Sequence, residues 1–255
     1  MAININLPNI PKELLSEIYK DSARPGVQQI GKALGNILSI VNTVSIPFKL
    51  ANQKANIWFE NNLEKYREKM SYIGLENIQP VLPEIAVPIV EKMAYTTCSE
   101  LGEMFANLLK NASTKGGMDK AHPNFVNIIS SISKDEAIIL EDFYKNPLPI
   151  PALFLKVTRL DKTWNTPIMC FTHYDSDTRL DYPNNNEFYM NNLENLGLIY
   201  RSQGTLADTD YKKLEVKFQR KIKPIKENKG EKYGMYRNHI GVAPFGKLFL
   251  KAVFE

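Results

Sequence analysis

A chain of 255 residues that is 44% hydrophobic and 24% charged has the composition of an ordinary globular protein, long enough for one large or two modest domains with real cores. Two cysteines, Cys98 and Cys170, exclude a disulfide framework, and the start MAININLPNIPKELL lacks a basic stretch leading into an apolar one, so a reducing cytoplasm is the expected compartment. The formal charge of +4 conceals an asymmetry: residues 212–232 hold nine Lys or Arg against three Glu, a net +6 that leaves the rest of the chain at −2.

In chain order, Pro11 starts a helix through Leu14, Leu15, Ile18 and Tyr19, and Pro25-Gly26 breaks it. Between Lys32 and Lys49 come sixteen residues without a charge, ALGNILSIVNTVSIPF. As a helix this run is about 24 Å long, short of the roughly 20 residues that a membrane span needs. Its apolar residues Leu34, Ile37, Leu38, Val41, Val44 and Phe48 follow the three-and-four spacing of one helical face. Two readings fit: a core helix of a helical bundle, or a helix that leaves the core and enters a bilayer surface or a partner. Pro47 ends or kinks it. From Phe48 to Met70 the stripe Ala51, Ala55, Trp58, Phe59, Leu63, Tyr66 and Met70 predicts another helix.

Residues 74–88 carry three prolines and read as a linker into the next helix. Thr97-x-x-Glu100 and Ser133-x-x-Glu136 are capping boxes, each ahead of an apolar stripe, and His122-Pro123 marks a third helix start before Phe125, Val126, Ile128 and Ile129. After Asn146 the pattern changes. Pro147, Pro149 and Pro151 make an extended boundary, and LFLKVTRL and IMCFTHY are rich in strand formers. Phe188 to Leu196 predicts a helix stopped by Gly197 at C′, with Leu198 to Tyr200 leaving as a strand. A strand near Tyr236 to Val242 and a closing helix, PFGKLFLKAVF, follow. The fold class is mainly α with a C-terminal α+β module whose element order is compatible with a winged helix. The expected regions are 1–72, an N-terminal helical region with the apolar helix; 73–146, a second helical region; and 147–255, the α+β module.

Several segments together resemble one bacterial family. They are Arg24-Pro25-Gly26, Gly31-Lys32-Ala33-Leu34-Gly35, Pro47-Phe48-Lys49-Leu50, Leu63 to Arg67, Pro83 to Ile89, Ala121 to Val126, Leu196 to Ile199 and Pro244 to Phe249. In these the chain resembles the abortive-infection alpha (Abi-alpha) family over nearly its whole length. The resemblance implies defence against phage by arrest or death of the infected cell, and it brings no catalytic motif with it. Gly31 and Gly35, four apart on one helical face, allow another helix to approach closely, in a soluble bundle as well as at a membrane.

The chemistry-bearing motifs are few. There is no GxGxxG, phosphate loop, GxSxG elbow or HExxH, which removes the usual support for dinucleotide, NTP, serine-hydrolase and zinc-protease readings. His173, Asp175 and Asp177 alternate, so on a strand they would share a face and could hold a divalent cation; a polar strand end leading into a turn explains the same residues. Cys98 and Cys170, without CxxC spacing or a basic neighbour, read as small apolar groups, His122 as a cap, and His239 as isolated. No catalytic residue, metal or cofactor is assigned. The basic patch Lys213, Lys217, Arg220, Lys221 and Lys223, beside Tyr211, Phe218 and Tyr233, could engage phosphates and bases or be a solvated face. Leu214, Phe218, Ile222 and Ile225 fit a helix there, while Leu214, Val216 and Phe218 fit a strand. The expectation is a non-enzymatic, cytoplasmic anti-phage protein, with a peripheral membrane state on activation; the alternative is a nucleic-acid-binding sensor or regulator. The partners to consider are a membrane surface, a nucleic acid, a phage-derived or host protein trigger, and a second copy of the chain.

Overall fold

The computed structural model describes residues 53–207, 209–225 and 230–255, together with Gly35. The expected helix at Pro11 and the apolar face Leu34, Ile37, Leu38, Val41, Val44 and Phe48 lie outside the described residues. The chain forms two compact units, residues 1–131 with 251–255, and residues 132–250.

In the first unit α1 (Gln53–Met70) buries Phe59, Leu63, Tyr66 and Met70 of the predicted stripe, while Trp58 is half-buried. Asn62, on the same face, donates through Nδ2 to the carbonyls of Met93 and Thr96, both at 2.9 Å. Met93 is the last residue of α2 (Pro83–Met93), so a buried amide supplies a donor to a carbonyl that lacks one within the helix. The linker expected through Pro88 is therefore six residues shorter: Pro83 takes the first helical position and Pro88 lies inside the helix. An interior proline costs about 3 kcal/mol. Full burial of Ile85, Ala86, Ile89, Val90 and Met93 outweighs it, each large apolar side chain contributing roughly 1.5–3 kcal/mol.

The central helix of this unit, α3 (Ser99–Ala112), starts one residue later than the Thr97 capping box implied. Cys98 is the N-cap and makes no side-chain cap bond. α4 (Pro123–Ser130) begins as expected, with His122 Nδ1 accepting from the Asn124 N–H at 3.1 Å. The end of the chain is held by α3: Asn107 and Asn111 donate to the carbonyls of Val253 and Ala252 at 2.8 and 2.9 Å. These are the last-turn carbonyls of α8 (Pro244–Phe254), which have no acceptor role within their own helix.

The second unit opens with α5 (Lys134–Lys145), where the predicted capping box is complete: Ser133 Oγ accepts from the Glu136 N–H, and Glu136 accepts from the Ser133 N–H at 2.6 Å. Four strands follow, β1 (Ile150–Thr158), β2 (Trp164–Phe171), β3 (Ile199–Gln203) and β4 (Lys232–Val242), in the antiparallel order β2-β1-β4-β3. β1 is an inner strand, yet its second residue is Pro151. The proline is tolerated because pairing with β2 starts only at Leu153, so at Pro151 one side of β1 is still an edge.

Between β2 and β3 lies α6 (Asn186–Asn195), and between β3 and β4 lies α7 (Lys212–Ile222). α6 ends at the glycine that the spacing predicted. Gly197 has φ +73°, its N–H bonds to Glu194 O at 2.9 Å, and the Leu198 N–H bonds to Leu193 O at 3.0 Å, with Leu193 and Leu198 both fully buried. This is a Schellman closure, which needs a left-handed residue at C′. The described chain is thus mixed α+β, with eight α-helices and a four-stranded antiparallel sheet.

The period of two gives the sheet two different faces. Leu153, Leu155 and Val157 point into a core, whereas Phe154, Lys156 and Thr158 remain partly exposed on the other side.

Candidate functional site

Residues 212–222 fit a helix and a strand equally well by sequence, and packing decides between them. Leu214 and Phe218, four apart, insert against Leu153, Leu155 and Val157 of β1 and Ile168 and Phe171 of β2, with Ile222 packed beside them. Strand spacing would have buried Val216, which is 50% exposed. The N-terminal end of α7 is fixed by Tyr211, whose hydroxyl donates to Asn238 O at 2.9 Å. Arg237 lies 5.1 Å from its ring and pairs with Glu215 at 2.7 Å.

With that face buried, Lys212, Lys213, Lys217, Arg220, Lys221 and Lys223 are all exposed. Two of them are engaged. Lys217 Nζ donates to Ser176 Oγ at 2.7 Å, and Lys221 Nζ meets Asp175 Oδ1 at 2.5 Å while lying 5.2 Å from the Phe171 ring. Among the described residues no carboxylate lies within salt-bridge distance of Lys212, Lys213, Arg220 or Lys223. Lys212 thereby joins the patch read from sequence, and Lys217 and Lys221 act in part as ties between α7 and the turn at 173–176.

That turn decides between the two readings of His173, Asp175 and Asp177. Residues His173–Ser176 form a single 3-10 turn, so the alternation that would align the three side chains is absent. Thr172 Oγ1 accepts from the Tyr174 N–H at 3.2 Å, and Asp175 Oδ2 accepts from the Thr172 N–H at 2.9 Å. Local side-chain bonds of this kind compete with the extended backbone of a strand. Asp175 is spent on Thr172, Asn186 and Lys221. Asp177 is spent on Arg179, which also grips Asp142 with both guanidinium nitrogens at 2.9 and 2.5 Å. No group of three His, Cys, Asp or Glu among the described residues is placed to hold a metal ion.

The cysteines have the electrostatics of structural groups. Burial pushes the Cys170 thiol up to about 12. Cys98 is half-buried rather than buried; desolvation, with the Glu100 carboxylate that its thiol contacts at 3.2 Å, raises it as well. A raised thiol is a poor nucleophile near neutrality.

A second feature was invisible in the sequence because four strands build it. On the sheet face away from α7 a cavity of about 480 Å³ is lined by Phe154 and Lys156 of β1, Trp164, Thr166 and Met169 of β2, Tyr236 and Asn238 of β4, Arg201 and Gln203 of β3, and Glu194 of α6. Phe154 and Tyr236, opposite each other in the β1–β4 register, stack at 5.1 Å with ring planes 21° apart. Lys156 Nζ sits 4.6 Å from the Trp164 ring centroid. Arg201 is bound to Glu194 and to Asn191 Oδ1.

The family model for abortive infection alpha matches residues 58–253, most of the chain, and the chain belongs to that family. Membership points to abortive-infection defence against phage. No curated protein matches the chain. A solved structure, of an uncharacterized protein from the hydrocarbon-degrading marine bacterium Alcanivorax borkumensis SK2, is similar over 51% of this chain and 92% of its own, at 16% identity and a TM-score of 0.33. Among the described residues no helix is long and apolar enough to cross a membrane.

Proposed function

We propose that this abortive-infection protein acts without catalysing a reaction, and that its second unit engages nucleic acid through the outer face of α7. The observation that carries the reading is the combination of a buried Leu214–Phe218 face with four exposed cations, Lys212, Lys213, Arg220 and Lys223, that have no carboxylate partner among the described residues. A fixed helix with such cations matches the spaced charge of a phosphate backbone, and binding releases the counterions condensed there. The order α6, β3, α7, β4, α8 supports a winged-helix use of the unit, with α7 as the helix presented to the nucleic acid.

The test is binding to duplex DNA, single-stranded DNA and RNA across a salt series. If the four cations contact phosphates of a duplex, log K falls against log salt with a slope of roughly −3 to −4. Changing Lys212, Lys213, Arg220 and Lys223 to Glu is expected to weaken binding at least about tenfold and to flatten that slope. Leu214 and Phe218 are untouched, so the melting temperature should hold. No affinity for any of the three polymers at low salt would overturn the reading.

A second reading rests on the sixteen uncharged residues between Lys32 and Lys49: an effector helix that inserts into a bilayer surface on infection. Charged side chains oppose that insertion, so Ile37→Asp with Val41→Asp is expected to abolish protection in a plaque assay. Circular dichroism and melting must show the double variant folded. If it is folded and protects fully, membrane action is ruled out.

A further inference from the structure

The cavity on the sheet face away from α7 has chemistry of its own, independent of the basic helix. We infer that it is a binding site for a mononucleotide, a nucleobase carrying one phosphate group. Its volume of about 480 Å³ falls in the range of small-molecule sites, roughly 300–1,000 Å³. Two of its walls are aromatic and accessible: Tyr236, backed by Phe154, is 47% exposed, and Trp164 is 60% exposed. Exposed rings held in place by a stacked neighbour or by a cation over one face are platforms for a planar heteroaromatic ring.

The polar groups choose among planar ligands. Asn238 lines the cavity, and its side-chain amide carries donors and an acceptor suited to a base edge. Gln203, opposite Asn238 in the β3–β4 register, adds a second amide with donors and an acceptor. The two cations differ. Arg201 is neutralised by Glu194, whereas Lys156 contacts only the Trp164 ring among the described residues. A single unpaired ammonium beside two aromatic platforms suits one phosphate group. A nucleic-acid strand needs a row of such cations, and those lie on α7, on the other side of the sheet.

The experiment is calorimetric titration of the full chain with the four common nucleoside 5′-monophosphates, the matching nucleosides, inorganic phosphate and a short single-stranded oligonucleotide. At least one monophosphate is expected to bind saturably, with its nucleoside weaker and phosphate alone undetected. Trp164→Ala and Tyr236→Ala should each weaken that binding about tenfold, the size of a lost base–aromatic stack. Lys156→Met should weaken the monophosphate and leave the nucleoside unchanged. All three side chains are at least partly exposed, and circular dichroism checks that each variant is folded. The α7 variant with four glutamates separates the two sites: unchanged monophosphate affinity supports the cavity, and loss of it overturns the cavity. Absence of saturable binding by any monophosphate, binding by the oligonucleotide alone, or binding that survives all three cavity substitutions would also overturn it.

Discussion

Gly246→Ala is expected to destabilise the second unit by about 3 kcal/mol and to lower its melting midpoint by roughly 10 °C. A Cβ at Gly246 would lie 1.9 Å from the Leu198 carbonyl oxygen and 2.7 Å from its carbon. Neither atom is the free end of a side chain. The Leu198 oxygen accepts from the Ala243 N–H at 2.9 Å, just ahead of α8, and the Leu198 N–H is the closing bond of the α6 Schellman motif. To admit one methyl group, α8 must lift off or the α6–β3 corner must open, and either movement breaks buried hydrogen bonds. Gly116 is the control, because a Cβ there meets nothing within 4 Å and the residue does not have a left-handed backbone. Gly116→Ala should melt with the wild type. A Gly246→Ala midpoint within a degree of wild type would show that the close approach of α8 to Leu198 is not the constraint that holds this corner.

What the sequence revealed, and what it hid, follows the range of the interactions involved. Ser133 with Glu136, His122 with Pro123, and Gly197 after Leu193 are bonds closed within a few residues, and each marked its helix end correctly. The basic segment was ambiguous because both spacings place Leu214 and Phe218 inward; only the apolar floor of β1 and β2 selects the helix. His173 to Asp177 left two readings open for the opposite reason. Its alternation is real, but Thr172 and Asp175 close a local turn before an extended backbone can use it. Pro88 read as a breaker because the burial that overrides it, on α2, belongs to tertiary packing. The cavity could not be found at all, since Lys156, Trp164, Arg201 and Tyr236 meet only once four strands are in register.

Asp135→Asn is expected to cost about 3 kcal/mol at pH 7, the loss of charge-assisted hydrogen bonds to a buried carboxylate. Asp135 lies between Ser133 and Glu136 of the α5 capping box, in the first turn, where an exposed carboxylate would simply suit the helix N-terminus. It is instead 3% exposed. Its oxygens accept from the Asp181 N–H at 2.8 Å, the Tyr182 N–H at 2.9 Å and the Tyr189 hydroxyl at 2.8 Å. One carboxylate thus holds the segment leading into α6 against the start of α5. An amide presents its own N–H groups to at least one of these donors, leaving that donor buried and unpaired. Burial alone would raise the carboxyl, but the two backbone N–H groups and the Tyr189 hydroxyl outweigh it and hold the group below its ordinary 3.8. A carboxyl whose folded pKa is depressed adds stability above its unfolded pKa, and that contribution fades as pH falls through the folded value. The difference between wild type and Asp135→Asn should therefore be full from pH 5 to 7 and shrink below about pH 4. Urea unfolding of both proteins at pH 7 and at pH 3 measures it. A difference as large at pH 3 as at pH 7 would mean that the shape of the side chain, and not its charge, fastens α5 to α6.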